Sequence, residues 1–565
     1  MPKEFPNPTT EAVNTKSSSA SAKALKIWRD FEKRRQLRSN WEDHWDQIAK
    51  RVIPSHRDLF TQAKSTVNLF SKGRRKTEFV LDSTAALALD KFSSILDSLL
   101  TPRNGIWHKL QASNPEKNKD REVKLWMETA NRSLFKFRYS PQANFASQNQ
   151  MVYQSLGAYG TGGLFTDPHT SGLGTRYKNI HLGEIFGREN HQGVVNTVYR
   201  YFPLSAWQAL DQFGEENLPS DIVQAAKGKD PDAEFFFLHA VLPRLDPDLE
   251  RMDFRGMPWA SFYISEKNKM LVEEGGFRSF PYAIPRYRQT ANEFYGRSPA
   301  MEVLPAIKML NEQKRTLIKQ GHRAVDPVLL AHDDGVVDSF SLMPGKVNYG
   351  GVNAQGRALI HALPVGRIDI GKDLMDDERE LINDTFLVNL FQILTDTPTM
   401  TATEVLERTK EKGILLAPTI GRQQSEYLGP LIERELSILI TQGIIPPPPL
   451  ALLEGNEPED FDIVYDSPLS RAQRSEEAAG VFRAVQAALD VVNITGDMSP
   501  LDHFNWDIIM PEIAAIHGVP ISWLNSPQDL LRLRDQRTQD KQIQQAATLA
   551  PGAAAMTNAV SNVAS

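Results

Sequence analysis

"NEFYGRSPAMEVLPAIKML", residues 292–310, begins as a turn and ends as a helix. Gly296, Arg297, Ser298 and Pro299 stand together at its start. Pro299 suits a first helical turn, where its missing N–H has no partner to lose, and Ser298 or Arg297 precedes it as the cap. Val303, Ile307, Leu310, Leu317 and Ile318 then recur along one side. Pro305 either kinks this helix or moves its true start later. Read as one helix, residues 299–323 span roughly 37 Å at about 1.5 Å per residue.

Working outward, residues 324–370 are poor in helical spacing and predict turns and short strands. A second helix is expected at 371–395, with Ile382, Phe386 and Leu390 on its apolar side, and "TDTPTM" (395–400) interrupts it. A third, longer helical pattern follows from 401. Thr401 and Glu404 form its capping box, and Gly413, Pro418 and the Gly429–Pro430 pair should bend or break it. Two helices flanking an insertion run antiparallel and put the insertion at one tip. Each has a narrow apolar side, thin for burying itself, so Val303, Ile307, Leu310, Leu317, Ile382, Phe386 and Leu390 are expected to pack against sister chains around a channel.

Before this hairpin, the chain reads first as helices and then as a sheet. Trp41, Trp45, Ile48 and Val52 share a face that Pro54 ends. In "LDSTAALALDKFSSILDSLLTPRNG" (81–105), Asp82 or Ser83 can cap, Ala85, Leu89, Phe92, Leu96 and Leu99 form a stripe, and Pro102 and Gly105 stop it. Residues 121–138 and 142–158 give two more amphipathic helices. From about 175 to 290, "VVNTVYRYF", "EFFFLHAVL" and "WASFYIS" are β-branched and aromatic runs between turns, a largely antiparallel sheet with a helix inserted near 204–213. The class is α+β. The proline-rich "IIPPPPLALLEGNEPED" (444–460) reads as a stiff linker to a helical C-terminal region reaching about 540.

A chain of 565 residues exceeds a single core, so two to four substructures are expected. With no cysteine, thiolate metal sites, thiol nucleophiles and disulfides are excluded. No apolar run is long enough to span a bilayer, and residues 1–24 read as a polar, disordered arm. Net charge is −6, unlike a chain that grips nucleic acid by neutralising phosphates. The charge is uneven, however. Residues 23–38 hold seven basic and two acidic side chains, "KGRRK" (72–76) adds four basic ones, and 373–384 holds six acidic ones against Arg379. Each run also reads as a solvated helix face.

Catalytic constellations are scarce. "YGTGGLFTD" (159–167) lacks the Lys-Ser/Thr of a phosphate loop and reads as a turn. His44, His108, His239 and His322 read as structural residues. The cluster Asp373, Asp376, Asp377, Glu378 and Glu380 allows a metal-dependent nuclease as an alternative, although such sites draw carboxylates from several elements. The main reading has no enzyme activity, cofactor or metal.

At this point the chain resembles the head-to-tail connector, or portal, proteins of short-tailed, podovirus-type bacteriophages, over about residues 25–535. The resemblance rests on the order and spacing of "LDSTAALALDKFSSILDSLLTPRNGIWHKL" (81–110), "EFYGRSPAMEVLPAIKMLNEQKRTLI" (293–318), "TATEVLER" (401–408), "SPLSRAQR" (467–474) and "DHFNWDIIMPEIAAIHGVP" (502–520). It implies a dodecameric ring at a unique capsid vertex of the virion, assembled in the host cytoplasm. Its parts would be a wing (25–297), stem helices (298–323 and 371–395) and a clip between them (324–370). A channel loop (396–401), a long bent wing helix with linker (402–466), crown helices (467–540) and a C-terminal tail or barrel (541–565) would follow. Implied partners are double-stranded DNA, the terminase large subunit, tail adaptor or nozzle proteins, and major capsid and scaffolding proteins, with no membrane anchor. A tail or adaptor ring is the nearer alternative. On this frame Asp373, Asp376, Asp377 and Glu380 are expected to line the channel, with Asp396, Thr397, Pro398, Thr399 and Met400 projecting into it and Lys410 or Lys412 relieving the repulsion. Asp333, Asp334, Asp338, Lys346 and Arg357 are the candidate docking residues of the clip. The basic segment 23–38 is expected outside the channel, against capsid, scaffold or packaged DNA.

Overall fold

The structure, a computed structural model, describes residues 18–542 except 58, 63–75, 229, 249–250, 252, 332–340, 342, 354, 365–368, 390–417, 455–456, 459–460, 466–467, 497, 517–518, 520–522 and 527. The chain is mixed helix and sheet, as expected. It divides into two units, one of residues 1–104 and 136–444, the other of 105–135 and 445–565.

The first unit is built on a five-stranded antiparallel sheet in sequence order, Ile185–Glu189, Val195–Ser205, Glu234–Pro243, Trp259–Ser265 and Leu271–Phe277. Alternation sorts its side chains onto two faces. Tyr199, Tyr201, Leu238, Ala240, Phe262 and Ile264 face one way and are covered by Ala24, Ile27, Trp28 and Phe31 of the helix Ser18–Leu37. Val198, Phe202, Phe237 and Val241 face the other. Part of that second face is covered by Ala206–Phe213 and Ser220–Lys227, the inserted helices, the first of which opens on a Ser205/Gln208 capping box. His239 on this face stacks on Tyr263 at 4.2 Å, bonds Tyr282 and Ser261, and is pushed down to about 3 by burial and by Arg200, the structural role expected of it.

The basic run 23–38 is thereby explained in part. Arg38 is fully buried: it bonds Glu42 and donates to the carbonyls of Leu182, Gly183 and Ile185. A charge at that depth is tolerated because every donor direction is met.

A second layer pairs the helices Thr84–Leu100 and Phe145–Tyr159. They approach closely at Gly157, where a Cβ would stand 2.6 Å from Leu89 Cδ1. The "YGTGG" turn ends the second helix, with Gly160 left-handed at φ 76°. Its backbone is tied to its neighbours: Gly160 N–H donates to Leu156, Gly162 N–H to Pro285, and the carbonyls of Gly160 and Gly163 accept from Tyr287 and Ile180. Gly160 and Gly296 face each other so closely that a Cβ on either would strike the other's carbonyl. The loop is therefore a packing joint without an open anion cradle, as its sequence suggested.

Helix 418–423 continues through a π turn, Gln424–Leu428, into Gly429–Thr441. The expected disturbance at Gly429–Pro430 takes this form: Pro430 cannot donate to the preceding turn, and Gly429 N–H reaches Gln424 O, five residues back.

In the second unit, His108–Ala112 pairs antiparallel with Phe461–Tyr465. Trp126 stacks on Phe461 at 5.6 Å and donates to Pro446 O. The helices Pro468–Thr495, Trp506–Ile516 and 528–542 follow, so the C-terminal region is helical as expected. The strand directly after the supposed linker was not anticipated. Among the described residues, no helix is long and apolar enough to cross a membrane.

Candidate functional site

The hairpin anticipated from residues 292–395 is present in altered form. Ser298 caps the short helix Pro299–Glu302, accepting from Met301 N–H and donating to Ala158 O. The chain breaks at Val303 and resumes as Leu304–Val325 with Pro305 in its first turn, so the proline moves the start. The partner helix is Asp369–Thr385; Leu387, at a left-handed φ of 62°, interrupts it, Val388 and Asn389 are helical again, and the expected stretch to 395 lies outside the described residues. Between them the excursion pairs Leu329–Ala331 with Ile360–Ala362. Lys346 and Arg357 are exposed on it. Asp333, Asp334, Asp338, Leu390, Asp396, Thr397, Pro398, Thr399, Met400, Lys410 and Lys412 lie outside the described residues, as do Thr401 and Glu404.

The apolar stripe requires a correction. Val303, Ile307, Leu310, Ile382 and Phe386 are buried by their own chain, and Leu317 is half-buried beside Gly371 of the partner helix. The root of the hairpin lies against the helix Thr84–Leu100 within the first unit, where Phe386 meets Phe92 edge-on. Those five side chains are not a surface for a neighbour. The expectation erred by judging each helix alone, without the body it lies on.

Polar bonds fix this root. Asn311 Oδ1 accepts from the N–H groups of Leu81 (2.8 Å) and Asp82 (3.2 Å), while its Nδ2 donates to Ile307 O. Asp82 accepts from Thr84 through one oxygen and from Arg379 Nη2 at 2.7 Å through the other. Burial would raise the Asp82 carboxyl, but the bonds from Thr84 and Arg379 outweigh it and hold it below the ordinary carboxylate range. Arg379, the lone base within 373–384 noted in sequence, thus turns inward to Asp82 through Nη2 while its Nη1 donates to Asp376 at 2.7 Å.

At about 100° per residue, the outward faces can be placed from the Leu317–Gly371 contact. On Leu304–Val325, Arg315 and Lys319 lie within roughly 40° of one another and about opposite Leu317, while Lys308 on the same side nearer the root is half-buried and donates to Gln47 of the body. Glu312 on this edge pairs with Arg315. On Asp369–Thr385, Asp373, Asp376, Asp377, Glu380 and Asp384 lie within roughly 100°, centred about opposite Gly371, and all five are exposed. The hairpin therefore has a basic edge and an acidic edge. Its broad faces differ too. Asn311 and Arg379 mark the face turned to the body. Met309, Leu374 and Leu381, each about half exposed, share the other. Towards the tip, Ile318 and Val325 emerge on the body-side face beyond its cover.

Sequence reading missed Met309, Leu374 and Leu381 because they fall outside the main stripe, and treated Asp82 only as a cap. Asn311 interrupting that stripe was the available signal. Among the described residues, no three His, Asp or Glu side chains converge as metal ligands. The carboxylates of 373–384 diverge along one ridge, which offers the nuclease alternative no geometry.

The family described as bacteriophage head to tail connecting protein matches residues 23–524. The chain is 29% identical over 527 residues to the probable portal protein of Bordetella phage BPP-1, covering 92% of each. It is 26% identical over 525 residues to the portal protein of Salmonella phage epsilon15, covering 92% of this chain and 91% of that one.

Proposed function

The chain belongs to the family of bacteriophage head to tail connecting proteins, and on that premise we propose that it is a portal subunit of the virion. It forms a ring, a dodecamer, at one capsid vertex, carries no catalytic step, and conducts double-stranded DNA during packaging and ejection. The excursion 324–370 docks the terminase large subunit during filling and tail adaptor or nozzle proteins afterwards, and the ring sits among major capsid and scaffolding proteins.

The observation that carries this reading is the division of the hairpin into two charged edges and two uncovered apolar areas. Met309, Leu374 and Leu381 on one broad face and Ile318 and Val325 on the other are complementary demands for cover. Copies stacked face to face, the same way around, bury both areas in one heterologous contact, the kind that closes into a ring. The charged edges then stay in water. One lines the axis and the other faces out. With the acidic edge inward, Asp373, Asp376, Asp377 and Glu380 repel phosphates, so DNA slides without the friction of ion pairs.

Purified protein imaged in negative stain should show rings with a central hole. Leu374→Glu/Leu381→Glu should leave folded subunits that sediment as monomers. A compact monomer from the unaltered chain would end the proposal. Retention of rings by the double variant would end this assignment of the contact.

A further inference from the structure

Beyond assembly, the first unit contains a linkage that runs through one helix. Thr84–Leu100 is about 25 Å long at roughly 1.5 Å per residue and is tied at both ends by polar bonds that are buried or partly buried. At its start, the Leu81–Asp82 pair holds Asn311 and Arg379, one residue from each hairpin helix. At its end, Asn149 Nδ2 donates to Asp97 Oδ1 and Thr101 Oγ1, both at 2.8 Å. Asn149 Oδ1 accepts from Tyr427 Oη at 2.6 Å. Asn149, Thr101 and Tyr427 are fully buried, and the Tyr153 ring stands edge-on to Tyr427 at 5.9 Å.

Tyr427 lies within the π turn Gln424–Leu428. A π turn carries one residue more than the α-helical register needs, so it is a place where a helix can change register at small cost. Its neighbour Glu426 is held by Arg286 through two bonds of 2.9 Å, and Gln423 donates to Arg286 O. The turn therefore has a fixed side at Arg286 and a side at Tyr427 that depends on Asn149. Between the two latches the helix is closely packed: Leu89 and Phe92 lie against Gly157, and Phe92 also meets Tyr287 and Phe386.

We propose that Thr84–Leu100 is a strut that couples the position of the hairpin helices to the register of the π turn at 424–428. The coupling is mechanical. Displacing the hairpin pulls on Leu81–Asp82, the helix moves as a body, and the Asp97–Thr101–Asn149 triad shifts the partner of Tyr427. The buried bonds of Asn311 to Asp82 and of Asn149 to Thr101 and Tyr427 transmit displacement because breaking one leaves an unpaired polar group with no water to satisfy it.

Amide hydrogen exchange on the full chain tests this, since it reads local opening segment by segment. Arg379→Gln and Asn311→Ala should speed exchange in 424–441 by roughly fivefold to tenfold, although neither residue touches that helix. Reciprocally, Tyr427→Phe, which removes one hydroxyl, should speed exchange in 304–311 and 375–385. The reference is Tyr199→Phe, which removes an analogous bond to Asp30 on the sheet. Changes confined to the mutated latch would overturn the strut. So would equal changes at both latches from Tyr199→Phe, because these would mean general loosening. Should Asn311→Ala fail to fold, Arg379→Gln and Tyr427→Phe decide the question.

Discussion

The sheet-and-helix body and the excursion at the tip of the hairpin obey opposite rules, though both belong to the first unit. In the body, Phe31, Phe186, Tyr153, Tyr159, Ile185, Val198 and Leu238 are almost entirely covered. At the tip, Val325 and Tyr349 are each 88% exposed, Val347 is 73% exposed, and Met343 and Val352 are also open to solvent. Burying a large apolar side chain stabilises by about 1.5–3 kcal/mol, and among the described residues of the tip that stabilisation is not taken up within one chain. An exposed concentration of this kind marks a surface for other chains. The body is a folded domain, whereas the described part of the tip leaves its large apolar side chains in solvent, as the proposed docking role requires.

The sharpest way to break the comparison is in the body. Glu435 accepts from Arg138 Nε at 3.0 and 3.1 Å, is also bonded by Arg138 Nη2, and accepts from Tyr177 Oη at 2.7 Å. Glu435→Gln removes the carboxylate paired with the fully buried Arg138 and should cost about 3–5 kcal/mol in denaturant unfolding. A loss under 1 kcal/mol would show that the body is wetter or looser than its burial indicates. Gly157→Ala comes next. Its methyl must push Leu89 and Phe92 aside in the tight contact between two helices, with an expected loss of about 1–3 kcal/mol. Unchanged unfolding would show that the helices yield easily there.

The smallest effect on the folded subunit is expected at the tip. Val347→Ser/Tyr349→Ser should change unfolding by no more than about 0.5 kcal/mol, since neither side chain is covered. Assembly measured by sedimentation should nevertheless weaken. A large stability loss in the isolated subunit would place these residues in a core and erase the difference between the two regions.

Legibility followed the same division. The stripe Ala85, Leu89, Phe92 and Leu96 marked a helix, and three aromatic runs marked three central strands, because spacing of three to four or of two is written locally. The acidic ridge was legible as a run, and its placement on one exposed face followed from helix geometry. Which apolar positions were free was not legible. Val303 and Met309 both look like helix residues on an apolar stretch, yet one is buried and the other half exposed. The Asn311–Asp82–Arg379 latch joins three segments spread over nearly three hundred residues, and no local pattern signals it.

The sequence alone determined that this chain alternates helices with an antiparallel sheet, carries a two-helix hairpin with one acidic member, and lacks thiol chemistry. Those properties depend on residue type and on neighbours within a turn or two. Tertiary structure alone decided that His108–Ala112 pairs with Phe461–Tyr465, that Gly160 meets Gly296, and that Arg138 spends its charge on Glu435. It also decided which side of each hairpin helix was covered. Such pairings depend on shape and charge fitting between segments far apart in the chain, and that fit exists only once the backbone has brought them together.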